Sequence, residues 1–336
     1  MLSFKNVTKV FYPGTPDEKI ALDNVSFTVN DGEFVTIIGG NGSGKTTTLN
    51  ILAGTMSPEH GGVLLNNVDI TGMSEHKRAK YFARVFQDPQ KGTAGTMQVI
   101  ENLAIANRKG GRHGLGWYIN KKQQKEFESM LASLGLGLET RLHTKTSVLS
   151  GGQRQALTLL MATMRAEPSH KQIIKDYVTF TLGDKDKARE EVTSVYDKAH
   201  KEYKAKVHEL FLSKKFKRTG LKEKLGLRAQ YYQEFDSKIR KYDLTKQILL
   251  LDEHTAALDP KTARKVLELT EKIVRKEQMT TLMITHNMKD AITYGDRLIM
   301  FYEGHIIHDI SGEEKKKLTV EKLLQMFDEA EQNSEK

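Results

Sequence analysis

Short runs of β-branched, aliphatic and aromatic residues open the chain. Leu2 to Val7, Val25 to Val29 and Phe34 to Ile38 read as strands, with breaks at Pro13-Gly14 and Asp31-Gly32. Asp31-Gly32 lies between two such runs and predicts a hairpin turn. Val63 to Leu65, after Gly61-Gly62, adds another strand. Apolar positions then take helical spacing over Ser74 to Arg84 and Lys121 to Leu134. Gly110, Gly111, Gly114 and Gly116 predict a mobile connection between these two. A helix over Gln155 to Arg165 stops before Pro168. Farther on, Ile248 to Leu251, Thr280 to Thr285 and Leu298 to Tyr302 read as strands, Lys261 to Lys276 and Leu318 to Glu331 as helices. Strands alternating with helices need right-handed crossovers, so the expectation is an α/β fold with a parallel sheet.

The stretch Ser169 to Gln247 breaks that rhythm. Val195, Tyr196, Ala199, Tyr203, Val207 and Leu210 are spaced three or four apart, and Leu221, Leu225, Tyr232, Phe235, Ile239 and Tyr242 form a second series. Between them Ser213 to Gly220 is polar and basic, which predicts two helices folded as a hairpin. Charge singles out the same stretch. It holds 20 Lys+Arg against 12 Asp+Glu, nearly all of the chain's net charge of +9, and the rest is almost neutral. Six of the eleven tyrosines lie here as well. Tyrosine faces with Lys214, Lys215, Lys217 and Arg218 could serve nucleic acid, anionic lipid or an acidic protein. The plainer reading is a solvated helical hairpin whose tyrosines pack on one another.

The 336 residues include no Cys, which excludes disulfides, thiolate metal sites and cysteine nucleophiles and fits a reducing compartment. The longest apolar run, Leu298 to Tyr302, is far short of the roughly 20 residues of a spanning helix. The N-terminal residues lack the basic-then-apolar pattern of a secretory signal. A soluble, cytosolic product is expected.

Gly39-Gly40-Asn41-Gly42-Ser43-Gly44-Lys45-Thr46 matches the phosphate-binding pattern G-x-x-x-x-G-K-[ST]. An apolar strand precedes it and a helix-forming run from Thr47 to Ala53 follows. Glycines let the backbone curl until several N–H groups face one anion, and the helix N-terminus adds partial positive charge. Lys45 would then reach the β- and γ-phosphates of a nucleotide, and the Thr46 hydroxyl would hold Mg²⁺. Ile248 to Leu251 ends in Asp252 and Glu253. In an open parallel sheet the ligand lies beyond the carboxyl ends of the strands, so Asp252 belongs beside the metal and Glu253 beside an attacking water.

Leu149-Ser150-Gly151-Gly152-Gln153 then makes the resemblance specific, because it is similar to the signature of ATP-binding cassette (ABC) ATPases. In order along the chain, Gln87 in Val85-Phe86-Gln87-Asp88-Pro89 resembles the Q-loop glutamine. Ala257-Leu258-Asp259 resembles the D-loop, and His286 in Ile284-Thr285-His286 resembles the switch histidine. Phe11 or Tyr12 resembles the aromatic that stacks on adenine. The chain departs at Gly40 and at His254, where proline is common; His254 is expected as a solvent-facing turn residue.

The resemblance implies a P-loop NTPase domain of ABC type, with a RecA-like core, an antiparallel β-subdomain and a helical subdomain at about 88–168. Residues 1–168 and 248–312 would form it, 169–247 would be an inserted helical hairpin, and 313–336 a C-terminal helix and tail. It implies ATP and Mg²⁺ as ligands. Gly39, Asn41, Gly42, Ser43, Gly44, Lys45, Thr46, Thr47 and Phe11 would bind nucleotide on one subunit. Ser150, Gly151, Gly152, Gln153 and Asp259 would close over the nucleotide of a second subunit, head to tail. Thr46, Gln87 and Asp252 would hold the metal; Glu253, His286, Gln87 and Lys45 would be catalytic. The implied activity is ATP hydrolysis driving a transporter, an importer by its resemblance to bacterial import ATPases. Implied partners are an integral membrane permease docking near Arg84 to Ala106, a second ATPase subunit and an extracytoplasmic substrate-binding protein. That would put the chain on the cytoplasmic face of the membrane, with amino acids, aromatic ones among them, as the suggested cargo. The competing expectation is a soluble translation- or nucleic-acid-associated ATPase using the basic hairpin. Such proteins carry two cassettes with the hairpin between them, whereas this chain has one phosphate loop and one signature.

Overall fold

The computed structural model describes residues 1–107, 119–164, 170–181, 184–212, 221–240, 243 and 248–334. The glycine-rich connection around Gly110 to Gly116, the basic turn Ser213 to Gly220, Arg165, Pro168 and Tyr242 lie outside them. Strands β1 (Leu2–Phe11), β2 (Lys19–Val29), β3 (Phe34–Gly39), β4 (His60–Leu65), β5 (Val68–Asp69), β6 (Phe82–Val85), β7 (Ile248–Asp252), β8 (Thr280–Ile284), β9 (Arg297–Tyr302) and β10 (His305–Ser311) form two sheets. One runs β2-β1-β4-β5, the other β10-β9-β3-β8-β7-β6. In the larger sheet β9, β3, β8, β7 and β6 are parallel and β10 returns antiparallel. Every residue of β7 and of β8 is buried, as expected where helices cover both faces of a parallel sheet.

The chain forms two compact units. The first comprises Met1–Leu65, Asp69–Ala166 and Lys246–Lys336; the second comprises Asn66–Val68 and Glu167–Thr245. Helices α1 (Lys45–Ala53), α2 (Glu75–Arg78), α3 (Val99–Ala106), α4 (Lys121–Ala132) and α5 (Gly151–Thr163) belong to the first. The second holds α6 (His170–Phe180), α7 (Lys185–Leu212) and α8 (Leu221–Arg240). The first unit resumes with α9 (Pro260–Glu277), α10 (Met288–Thr293), α11 (Gly312–Lys316) and α12 (Val320–Ser334).

Two local expectations are corrected. The Asp31-Gly32 turn does not close a hairpin, because β2 pairs with β1 while β3 pairs with β8 and β9. The apolar run of β3 suits a strand covered on both faces, and Gly32 N–H donates to Thr280 Oγ1 at 2.9 Å. Ser74 to Arg84 is not one helix. Only Glu75–Arg78 is helical, and Phe82–Val85 is a sheet-edge strand. Arg78 imposes the break: its buried guanidinium donates to the carbonyls of Ile51, Leu52, Ile70, Thr71 and Met73, locking chain ends that a continued helix would pull apart. The C-terminal segment includes helix α12, where an amphipathic helix is expected. Leu318 and Leu323 are buried with Ala291, Leu298 and Met300, and Lys315 Nζ donates to the carbonyls of Tyr294 and Gly295. Burial pushes the Lys315 ammonium down to about 8.

Among its described residues the second unit contains three helices, where sequence spacing predicts two. Its core consists of Ile173, Val178, Val192, Ala199, Phe235 and Ile239. Rings of His170, His200, Tyr203 and Tyr196 surround Phe235 at 4.8, 5.5, 5.6 and 5.8 Å between centroids. Ion pairs Lys206–Glu234 and Lys238–Glu202 tie α7 to α8. Tyr196 and Tyr203 thus pack against Phe235 within the unit, whereas Tyr232 contacts the same ring and stays 47% exposed.

Candidate nucleotide-binding and hydrolysis site

The loop between β3 and α1 is shaped by Gly44, whose φ of 102° is poorly tolerated by residues with a Cβ. A Cβ there would also lie 2.5 Å from the Ala21 carbonyl oxygen. Lys45, at the first position of α1, is buried and donates Nζ to the carbonyls of Gly39 (2.9 Å) and Gly40 (2.7 Å). Burial lowers the pKa of this ammonium, partly offset by the carboxylates of Glu253 and Asp252. A cavity of about 190 Å³ opens here, lined by Phe11, Lys19, Asn41, Thr46, Thr47 and Glu253 among others. Phe11 faces the cavity, whereas Tyr12 is 68% exposed and not among its lining residues.

Strand β7 delivers Asp252 to the same end of the sheet. Asp252 Oδ1 lies 3.5 Å from Thr46 Oγ1, and its Oδ2 accepts from Arg84 Nη2 at 2.6 Å. Glu253 follows in the left-handed region, φ 46°, a conformation that costs a non-glycine residue about 1 kcal/mol. This turn lets its carboxylate meet His286, with Glu253 Oε1 and His286 Nε2 2.5 Å apart. His286 stands just beyond β8, where Asn287 caps α10 by accepting from the N–H groups of Lys289 and Asp290. Lys45, Thr46, Asp252, Glu253 and His286 are thus gathered at the carboxyl ends of β3, β7 and β8.

The remaining predicted residues form a second group. Ser150 is exposed at the N-cap of α5, where its hydroxyl accepts from Gln153 N–H and Gln153 Oε1 accepts from Ser150 N–H. Asp259 caps α9 by accepting from Thr262 N–H, which lowers its pKa. Gly152 is the point of close approach: a Cβ there would lie 2.1 Å from Thr262 Cγ2. Gln87 is exposed after β6, and the neighbouring Phe86 carbonyl accepts from Gln155 Nε2 of α5 at 3.3 Å.

Two residues escaped the sequence reading. Lys19 Nζ would come within 2.9 Å of a Cβ on Gly42, putting a second cation at the loop, and nothing in its local pattern signals this. Arg84 does carry a signal, as a charge inside the apolar strand Phe82–Val85. His254 is corrected outright. It is 2% exposed, with Nε2 3.1 Å from Thr270 Oγ1, and burial pushes its pKa down to about 4.

A phosphate loop on a parallel sheet, a strand ending in two carboxylates, and a capped signature helix define an ATP-binding cassette of the P-loop NTPase class. A family profile described as "ABC transporter" matches residues 22–170. The chain is 36% identical over 330 residues to a tyrosine transport ATP-binding protein of Clostridioides difficile, covering 98% of this chain and all of that one. It is 25% identical over 313 residues to an energy-coupling factor transporter ATP-binding protein of Clostridium perfringens, covering 92% of this chain and 79% of that one. Among solved structures, an ABC transporter cassette in its ADP conformation matches with a TM-score of 0.61 at 23% identity, over 97% of this chain and 98% of that one. A dimeric post-hydrolysis cassette bound to ADP and phosphate matches with a TM-score of 0.59 at 22% identity, over 93% and 98%. The chain belongs to the ATP-binding subunits of ABC transporters and is an ATPase. Among the described residues, no helix is long and apolar enough to cross a membrane.

Proposed function

We propose that two copies of this chain close head to tail on two ATP molecules and energise a separate membrane permease of a bacterial amino-acid importer. The observation that carries this reading is the Glu253–His286 pair, 2.5 Å apart, at the strand ends that also bear Lys45 and Asp252. Glu253 takes the proton of the attacking water, and His286 holds the Glu253 carboxylate and the γ-phosphate in register. Lys45 and the loop N–H groups bind the β- and γ-phosphates, and the Phe11 ring takes the adenine face. The exposed Ser150 N-cap, with Gly151, Gly152, Gln153 and Asp259, completes the neighbouring copy's site. The solved dimeric cassette is consistent with such closure.

The Thr46 hydroxyl and Asp252 carboxylate suit Mg²⁺: two hard oxygen donors from different elements converge to 3.5 Å. Gln87 would complete this donor set. When bound, the ion screens charge on the β- and γ-phosphates.

A groove of about 430 Å³ lined by Phe86, Ile105, Thr158 and Met161, with Ile105 49% exposed, is the docking surface we assign to the permease. It adjoins Gln87, so permease movement and nucleotide state would be coupled there. The tyrosine transport relative supports an aromatic amino acid as cargo, and an extracytoplasmic binding protein in the complex follows from the importer reading alone. These assignments put the chain on the cytoplasmic face of the membrane. The test is purification of a tagged chain from its native membranes. A permease should copurify, and Ile105→Asp should release it while soluble ATPase activity persists. Recovery with ribosomes instead would refute the transporter reading.

A further inference from the structure

An arginine inside an apolar strand is costly unless its charge is used. In the pairing of β6 with β7, Arg84 stands opposite Leu250, so its side chain shares a face with Asp252 two residues on. The guanidinium is nearly enclosed, with a side-chain exposure of 14% against 11% for Asp252. Nη2 donates to Asp252 Oδ2 at 2.6 Å and Nη1 to Asn50 Oδ1 at 2.7 Å. The Phe86 ring lies 4.9 Å below its central carbon. Asn50 and Thr46 are four residues apart on α1, and so on one face of that helix. The two oxygens of Asp252 are therefore divided: Oδ2 faces Arg84, braced by Asn50, and Oδ1 faces Thr46.

We propose that Arg84 is a positioning residue for the metal-binding carboxylate, claiming Oδ2 of Asp252 so that Oδ1 alone is presented beside Thr46. This rests on reading Asp252 as a metal ligand. A buried carboxylate with no such partner is free to turn, and the Lys45 ammonium, which Asp252 already influences electrostatically, would compete for it. Arg84 prevents that by a planar fork fixed at both ends, which a point charge could only partly reproduce.

The test is Mg²⁺-dependent binding of a fluorescent ATP analogue to the full chain and its variants. Arg84→Met should raise the Mg²⁺ midpoint at least fivefold, while nucleotide affinity measured in EDTA stays within twofold of the parent. Arg84→Lys should recover part of that shift, since it restores the charge but cannot also reach Asn50. Asn50→Ala, which spares the ion pair, should shift the midpoint in the same direction by less and serves if Arg84→Met does not fold. A midpoint for Arg84→Met within twofold of the parent, or below it, overturns the proposal. So does a lysine variant that recovers nothing, because the effect would then be one of packing. Asp252→Asn separates the two levels. If it keeps the parental midpoint, the metal reading itself has failed; if it shifts while Arg84→Met does not, only the role of Arg84 has.

Discussion

His254 makes the folded chain acid-sensitive by an amount that can be worked out. Thr270 Oγ1 donates its own proton to the Val266 carbonyl at 2.8 Å, so it can only accept from His254, which fixes the neutral ring with its proton on Nε2. Protonation would place a charge in a site with 2% exposure, and burial lowers the pKa from 6.5 to about 4. Between those values the unfolded chain binds a proton that the folded chain refuses, so stability falls as pH falls through that window. At about 1.36 kcal/mol per pH unit, the full loss near pH 4 is about 3 kcal/mol, with about 2 kcal/mol lost by pH 5. His254→Gln keeps a donor for Thr270 and cannot titrate. Urea unfolding of both proteins at pH 7.5 and 5 cancels the carboxylates they share. The parent should lose about 2 kcal/mol more than the variant between these conditions. Equal losses would show that His254 does not stay neutral in the folded chain.

Two other perturbations probe packing and the inserted unit. Gly152→Ala would drive a methyl group to 2.1 Å from Thr262 Cγ2 and should destabilise the cassette by about 1–3 kcal/mol, read as a lower urea midpoint. Replacing 169–247 with a short flexible linker removes a unit that has its own core, and should leave ATPase activity per folded molecule within about threefold of the parent. Loss of activity in a folded deletion variant would mean that the insertion takes part in hydrolysis.

The parallel sheet was legible because its central strands are short, mostly apolar runs broken only by threonines and a terminal carboxylate. Ile248–Leu251 reads as a strand covered on both faces that delivers two carboxylates at its end. The phosphate loop and signature helix were legible for a related reason: the backbone must approach an anion or another helix there, and glycine spacing records that need. Contacts made across long sequence separations were not. Arg78 reaches the carbonyls of Ile51 and Leu52, 27 and 26 residues before it, as well as three nearer ones, and that network is invisible to the local spacing that predicts a continuous helix. His254 looks like a turn residue because the pattern around it is short and polar, yet α9 covers it through Thr270. The third helix of the insertion was overlooked because Ile173, Tyr177 and Phe180 cover less than two turns before Gly183 interrupts the pattern.

The central claim is that Glu253 is the base in a nucleotide site completed by a second copy of the chain. Glu253→Gln removes the proton acceptor while preserving size and the turn at φ 46°. The direct measurement combines single-turnover hydrolysis of radiolabelled ATP with light scattering on the same sample. The account predicts ATP bound with parental affinity, a stable dimer that forms only with ATP, and hydrolysis slowed at least a hundredfold. Near-parental hydrolysis, or a variant that stays monomeric with ATP bound, would contradict it.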